Sequence, residues 1–587
     1  MNPTAWETER STEPGSGMTL ERFIAVARGE EPADLVIRGG QVINVFSAEI
    51  HRADVAIAGG RVVGFGAYEG RERLDADGCF IAPGFIDAHI HLESTMLTPR
   101  EFARVVVPMG TTAVVADPHE IANVLGLDGI NYLLEASRDL PVTVFFMLPP
   151  CVPATDLETA GARLGAREIG MLLPHPRVLG VAEVMNYTAV LEKEPEILAK
   201  LRLGRGKRID GHAPRLSGKD LNAYVGVGIK SDHECTTPEE ALEKLRAGMH
   251  VFIRQGTIGK NLEALLPIVT PSNAVRCGLV SDDRHPTDLL AEGHINFLLQ
   301  RAVALGLSPV TAVQMVTINP AKYFFTTDIG AVAPGYRADL VLLEDLTEFR
   351  ARVVLKAGRP VARDGALVVE LPQPAPAPRS AVNIGWSRMS GLEITAAGGG
   401  IAKVVDLVPD QLTTRKLLTR LAIRDGLAVA DPSRDISKVA VVERHRGTGN
   451  VGLGFVRGLG LRAGALASTV AHDSHNVVVV GTNDADMLAA LRAVERMQGG
   501  LAAVKDGTVL GAVSLPIAGL MSDEPVERVT SQVTELLAAA RTLGSPLRDP
   551  FITLSFLALP VIPALRLTDR GLVDVERFRL VPLFGEG

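Results

Sequence analysis

Between Pro83 and Thr326 the chain repeats one pattern eight times: a short apolar run closing on polar residues, then a helix-like stretch. The runs end in "GFIDAHIH", "TTAVVADPHE", "VTVFFMLPP", "VLGVAEVMN", "KRIDGHAP", "GIKSDHE", "MHVFIRQGT" and "CGLVSDDRHP". Amphipathic segments such as "PREFARVVVPMG" and "TPEEALEKLRAG" lie between them. Strand and helix periods in alternation predict βα units around a parallel sheet. Eight units in roughly 240 residues match the size of a TIM-type (β/α)8 barrel. C-terminal strand ends face the active site in that architecture, and the histidines and acids of this segment collect there.

The flanks have a different texture. From Ala33 to about Ala82, and again from Gly330 to Gly365, short alternating runs are punctuated by glycine turns. They predict one β-sandwich, residues 21–82 plus 327–372, split by a barrel over 83–326. After the proline-rich connector "LPQPAPAPRSA", strands and helices mix from Ile384 onward, which predicts a separate C-terminal α/β domain over 384–587. Residues 1–20 are polar, with no basic and then apolar pattern of a signal peptide, and read as a disordered lead-in.

Composition narrows the function classes. A net charge of −8 argues against a general nucleic-acid surface. No apolar run approaches the roughly 18 residues of a membrane span. The four cysteines stand singly, without a CxxC pair, as expected of reduced thiols in a cytoplasmic protein. The glycine-rich "GTGNVGLGFVRGLGLRAG" lacks the strand–GxGxxG–helix context of a dinucleotide site.

His89 and His91 sit two apart at the end of the first run, so on a strand they project side by side, as two imidazoles on one metal would. Glu183, His212, His233 and Asp282 occupy later strand ends. Four imidazoles and two carboxylates suggest two divalent ions. His89, His91 and Asp282 hold one, His212 and His233 the other, and Glu183 bridges, since Val178–Val184 contains no lysine to take that place. Manganese(II) is the first expectation, with iron(II) or zinc(II) as alternatives for the same donors. A single ion with Glu183 as a proton-transfer acid is the lesser reading.

The order of these ligands resembles the amidohydrolase superfamily. "IDGHAPRLSGKDLNAYVGVGIKSDHE", "SDDRHP", "GALASTVAHDSHNVVVVG", "LPIAGLMS" and "LSFLALPVIPALRLTDRGL" look more narrowly like the bacterial adenine deaminase family. The resemblance runs from about Glu21 to the C-terminus. It implies hydrolysis of adenine to hypoxanthine and ammonia in purine salvage, with a hydroxide generated on the metals attacking C6 and Asp282 moving its proton. The expected partner is the small-molecule substrate, and the expected assembly a homo-oligomer, dimer or higher. Alternatives are an amidohydrolase acting on another amino-heterocycle or cyclic amide, and an inactive barrel with a binding or scaffold role.

A second acid should protonate the purine ring, and Glu120 in "ADPHEIAN" is the candidate, against a reading as a helix N-terminal acid. His119 beside it orients substrate or is structural. Arg254 meets the purine or fixes a neighbouring carboxylate. Asp283 follows a ligand, but strand alternation would turn it away. His472, Asp473 and His475 in "AHDSHN" form a further cluster, read as an active-site contribution across a domain boundary, an additional metal site, or a hydrogen-bonded turn. His472 and His475 join His119, Arg254 and Asp283 as candidate substrate-binding residues.

Overall fold

The structure, a computed structural model, describes residues 18–378, 382–396, 401–408 and 413–585. Most of the expected lead-in, residues 1–17, lies outside the described residues. A helix begins at Leu20, where the Thr19 hydroxyl accepts the Arg22 N–H.

All eight expected runs form strands: β1 (Phe85–Ile90), β2 (Thr111–Ala116), β3 (Thr143–Leu148), β4 (Val178–Val184), β5 (Arg208–Gly211), β6 (Ser231–Asp232), β7 (His250–Arg254) and β8 (Cys277–Val280). β1 to β5 make one parallel five-stranded sheet in sequence order, and β6 to β8 a parallel three-stranded sheet. Their residues are buried almost throughout, as continuous apolar runs covered on both faces require. The two sheets approach each other at both edges. Asp282 N–H, just past β8, donates to His89 O of β1 at 3.1 Å. At the other edge the Ser231 hydroxyl of β6 donates to Asp210 of β5 at 2.9 Å. Gly211 at the end of β5 lies so close to the Ser231 carbonyl that a side chain would not fit. Ala88, Val115, Met147, Ala182, Phe252 and Val280, each from a different strand, share one buried cluster with Tyr323 and Phe324. That packed layer sits next to the strand-end polar residues and fixes their backbone.

The flanking β segments meet in one sheet. Phe80–Pro83 pairs antiparallel with Leu340–Leu343, so a seven-stranded sheet draws strands from both sides of the βα region. A four-stranded sheet from the N-terminal flank, including Ala33–Arg38 and Val55–Ala58, packs on it through Leu35, Ile37, Ile57, Leu340, Leu342 and Leu355.

The C-terminal region is built on an eight-stranded sheet, with helices Asp484–Arg496 and Val526–Thr542. It is docked over the strand ends of the βα region. Ser522 N–H donates to Met96 O at 2.8 Å, and Asn476 Nδ2 donates to Thr159 O at 2.8 Å. Arg104 pairs with Glu527 through two contacts of 2.6 and 2.8 Å. Among the described residues no helix is long and apolar enough to cross a membrane.

Candidate metal centre and its surroundings

Six residues from five strand ends converge. His89 and His91 close β1 with rings 4.8 Å apart. Asp282 Oδ1 lies 3.5 Å from His89 Nε2 and 3.3 Å from His91 Nε2. Glu183 stands between two histidine sets. Its Oε1 is 3.5 Å from His91 Nε2, while its Oε2 is 2.7 Å from His212 Nδ1 and 3.2 Å from His233 Nε2. His89 stacks on His233 at 4.0 Å, so the two halves are in contact. Only His212 has appreciable exposure, at 21% of its side chain.

The electrostatics fit cations at this place. Burial pushes Glu183 and Asp282 towards neutrality, but the surrounding histidines, with Arg254 on Asp282, outweigh it and hold both carboxyls well below their ordinary range. Burial likewise pulls the imidazoles down, yet the Asp282 hydrogen bond and neighbouring carboxylates hold His91 well above its usual value, and Glu234 and Glu183 hold His212 at about 9. Positive charge is therefore favoured where the ring nitrogens meet the carboxylates. His89 Nε2 is buried with no hydrogen-bond partner, as a nitrogen kept for a metal would be. Nitrogen and carboxylate donors suit a divalent ion.

The supporting residues explain why the rings point as they do. The Asp117 carbonyl can only accept, so His91 Nδ1, 3.1 Å away, carries the proton and Nε2 keeps its lone pair for the centre. Asp87 accepts the Ser281 hydroxyl at 2.5 Å and the His89 N–H at 3.3 Å, with His294 Nε2 3.0 Å away. It ties β1 to the end of β8. Glu93 accepts Ile121 N–H at 3.0 Å, which anchors the helix His119–Leu125; burial and the nearby Glu120 push its carboxyl up to about 7.

Arg254 holds carboxylates. It donates to Asp282 Oδ2 at 2.9 Å and pairs with both oxygens of Glu234, the second at 2.9 Å. Glu234 is a residue that sequence reasoning missed, although it follows a ligand directly in "SDHE". Asp283 lies just past the strand end. β8 stops at Val280 and Asp282 adopts a left-handed φ of 55°, so strand alternation no longer applies. Asp283 accepts the Ser94 hydroxyl at 2.5 Å and borders a cavity between the domains.

The helix His119–Leu125 and the C-terminal loop Thr469–Asn476 face each other here. His119 Nδ1 is 3.4 Å from Glu183 Oε1, and its Nε2 is 3.8 Å from Asp473 Oδ1. Glu120 Oε1 lies 3.2 Å from His472 Nδ1 and accepts the Ser94 hydroxyl at 3.3 Å, while its Oε2 is 3.8 Å from His475 Nε2. Burial pushes the Glu120 carboxyl up, but His472 outweighs it and the group sits well below its ordinary value. Beside His472 the group is thus held as an acceptor towards that imidazole. In this loop His472 and Asp473 stand with His119 close enough together to hold an ion. Ala471 N–H donates to His475 Nδ1 at 3.1 Å, so Nε2 carries the ring proton and has no lone pair for an ion.

Known proteins resemble this chain over nearly its whole length. Residues 80–361 match the Amidohydrolase family, and residues 411–579 match the Adenine deaminase C-terminal domain. The adenine deaminase of Desulfatibacillum aliphaticivorans is 51% identical over 571 residues, covering 97% of this chain and 100% of the relative. Adenine deaminase 2 of Carboxydothermus hydrogenoformans is 50% identical over 96% of this chain and 99% of its own length. Among solved structures, a beta-aspartyl dipeptidase from Fervidobacterium islandicum AW-1 aligns at a TM-score of 0.43 and 17% identity, over 57% of this chain and 99% of that one.

Proposed function

The chain belongs to the adenine deaminase family of amidohydrolases, and on that premise we propose that it hydrolyses adenine to hypoxanthine and ammonia. The observation that carries the reading is likeness to adenine deaminases over both the ligand-bearing region and the C-terminal domain that covers it. Two divalent ions, manganese in the first place, would be held by His89, His91, Asp282, Glu183, His212 and His233. When bound, such ions supply Lewis acidity and bring deprotonation of water within reach of neutral pH. Asp282 accepts the proton released as water attacks C6, and Arg254 keeps its carboxylate aimed while Asp87 and Asp117 fix the two β1 histidines. The amino group of adenine is a poor leaving group, so nitrogen must be protonated as it departs.

The same proposal includes the finer architecture: a (β/α)8 barrel over 83–326 set in a sandwich of 21–82 and 327–372, with a domain over 384–587. The Asp282–His89 backbone link and the cluster shared by six strands support closure. A homo-oligomer working in cytoplasmic purine salvage completes it, and sedimentation of the purified chain checks the assembly.

Ammonia release from metal-loaded protein across adenine, adenosine, cytosine and a cyclic amide tests the reaction. Adenine should have the highest kcat/KM. No release from adenine, or comparable release from adenosine, would overturn the assignment.

A further inference from the structure

His472 borders a cavity at the domain boundary. Its lining combines the polar Ser94, Asp283 and His472 with apolar residues that come largely from the C-terminal domain, including Phe551 and Phe556. The lining is linked to the candidate metal centre, because Asp283 follows Asp282 in the chain and Ser94 joins Asp283 to Glu120.

Three contacts fix His472. Its backbone N–H donates to Ser555 O at 2.8 Å, its ring stacks on Phe556 at 4.5 Å, and its Nδ1 is 3.2 Å from Glu120 Oε1. A carboxylate only accepts, so the Nδ1 proton points at Glu120 and the opposite ring edge is left for the cavity. The Ser94 hydroxyl donates to the same Glu120 oxygen at 3.3 Å. A carboxylate behind an imidazole is the arrangement that orients the ring and stabilises its protonated form. His472 accords with it: burial pulls the ring down, but the Glu120 charge and hydrogen bond raise it to about 9.

Resting on the adenine reading above, we propose that His472 of the C-terminal domain is the acid that protonates the nitrogen leaving C6, with Glu120 as the residue that positions it. The Nε2 proton passes to N6 as the C6–N6 bond breaks, and the bonding pair leaves with nitrogen as ammonia. The new C6–O bond comes from water, whose two protons close the balance. One replaces the proton given by His472, and the other ends on N1 of the lactam. The C-terminal domain thereby supplies a catalytic group to a centre built by another part of the chain.

The test uses the full-length, metal-loaded enzyme and its His472→Gln, His472→Ala and Glu120→Gln variants, with metal content and melting temperature measured beside kcat and KM for adenine. Both His472 variants should keep wild-type metal content, lose about 10²- to 10⁴-fold in kcat, the range of general acid catalysis, and shift KM far less. Added imidazole should restore part of the His472→Ala rate, which a purely structural role would not allow. Glu120→Gln should lower kcat by about 10- to 100-fold, as loss of an orienting partner does. A folded, metal-loaded His472 variant within threefold of wild-type kcat overturns the proposal, as does a His472→Ala loss that imidazole leaves untouched. Should neither His472 variant fold, an unchanged kcat in Glu120→Gln overturns it equally. Wild-type enzyme without adenine turnover removes the reaction and this role together, whereas active wild type with unaffected variants removes only the role.

Discussion

The candidate metal-ligand cluster and the loop Thr469–Asn476 lie side by side, yet they are encoded in different ways. The cluster is spread over five strand ends, each held by parallel pairing and by a packed layer next to it. The loop brings His472, Asp473 and His475 within one short stretch, and its geometry depends on docking between domains. Rigid strand ends suit groups that must hold fixed positions around cations. On the proposal above, a group brought in by the C-terminal region would approach the substrate from the side away from these strand ends.

If that division is right, damage to the strand ends should remove metal, and damage farther out should spare it. His91→Ala should have the largest effect, a loss of at least one ion and about a thousandfold in kcat, the cost of removing one main electrostatic stabiliser; elemental analysis with steady-state kinetics reads both. Full metal content in that variant would break the distinction. Arg254→Met leaves Asp282 and Glu234 without their buried partner. It should cost about 3–5 kcal/mol of unfolding free energy in denaturant titration, as broken buried pairs do, and a cost near zero would show Arg254 to be dispensable for their alignment.

Smaller changes sharpen the comparison. Asp87→Asn keeps its shape but weakens the tie between β1 and β8. Metal affinity by competition with a chelator should fall about 10- to 100-fold, the usual range for residues behind a ligand. Ser94→Ala, at the boundary between the regions, should be smallest: metal content unchanged and kcat/KM lower by about 5- to 10-fold, equivalent to a hydrogen bond of about 1 kcal/mol. Loss of metal from Ser94→Ala would place that hydroxyl with the strand-end cluster.

The strand-end half of this picture was legible because its signals are local. His89 and His91 share a face through a two-residue period, and Glu183, His212, His233 and Asp282 each follow an apolar run, so pattern alone could order them. Where the backbone leaves the strand, the pattern loses force. Asp282 has a left-handed backbone, so strand alternation does not extend to Asp283, and β6 is only two residues long, too short to show that Glu234 faces Arg254. The Glu120 carboxylate illustrates the limit best. Its ionisation is set by His472, more than three hundred positions away in the chain, and neither segment carries a period that announces the other. A close grouping of His472, Asp473 and His475 was visible, but its partner was not.

Metal titration of the chelated protein, followed by adenine turnover in the same samples, tests the central claim most directly. The account predicts that ammonia release rises with added manganese and levels off at two equivalents per chain in the wild type, and that Glu183→Gln levels off at one equivalent or fewer. A wild-type plateau at one equivalent, or a Glu183→Gln protein that still binds two, would contradict a pair of ions joined through Glu183.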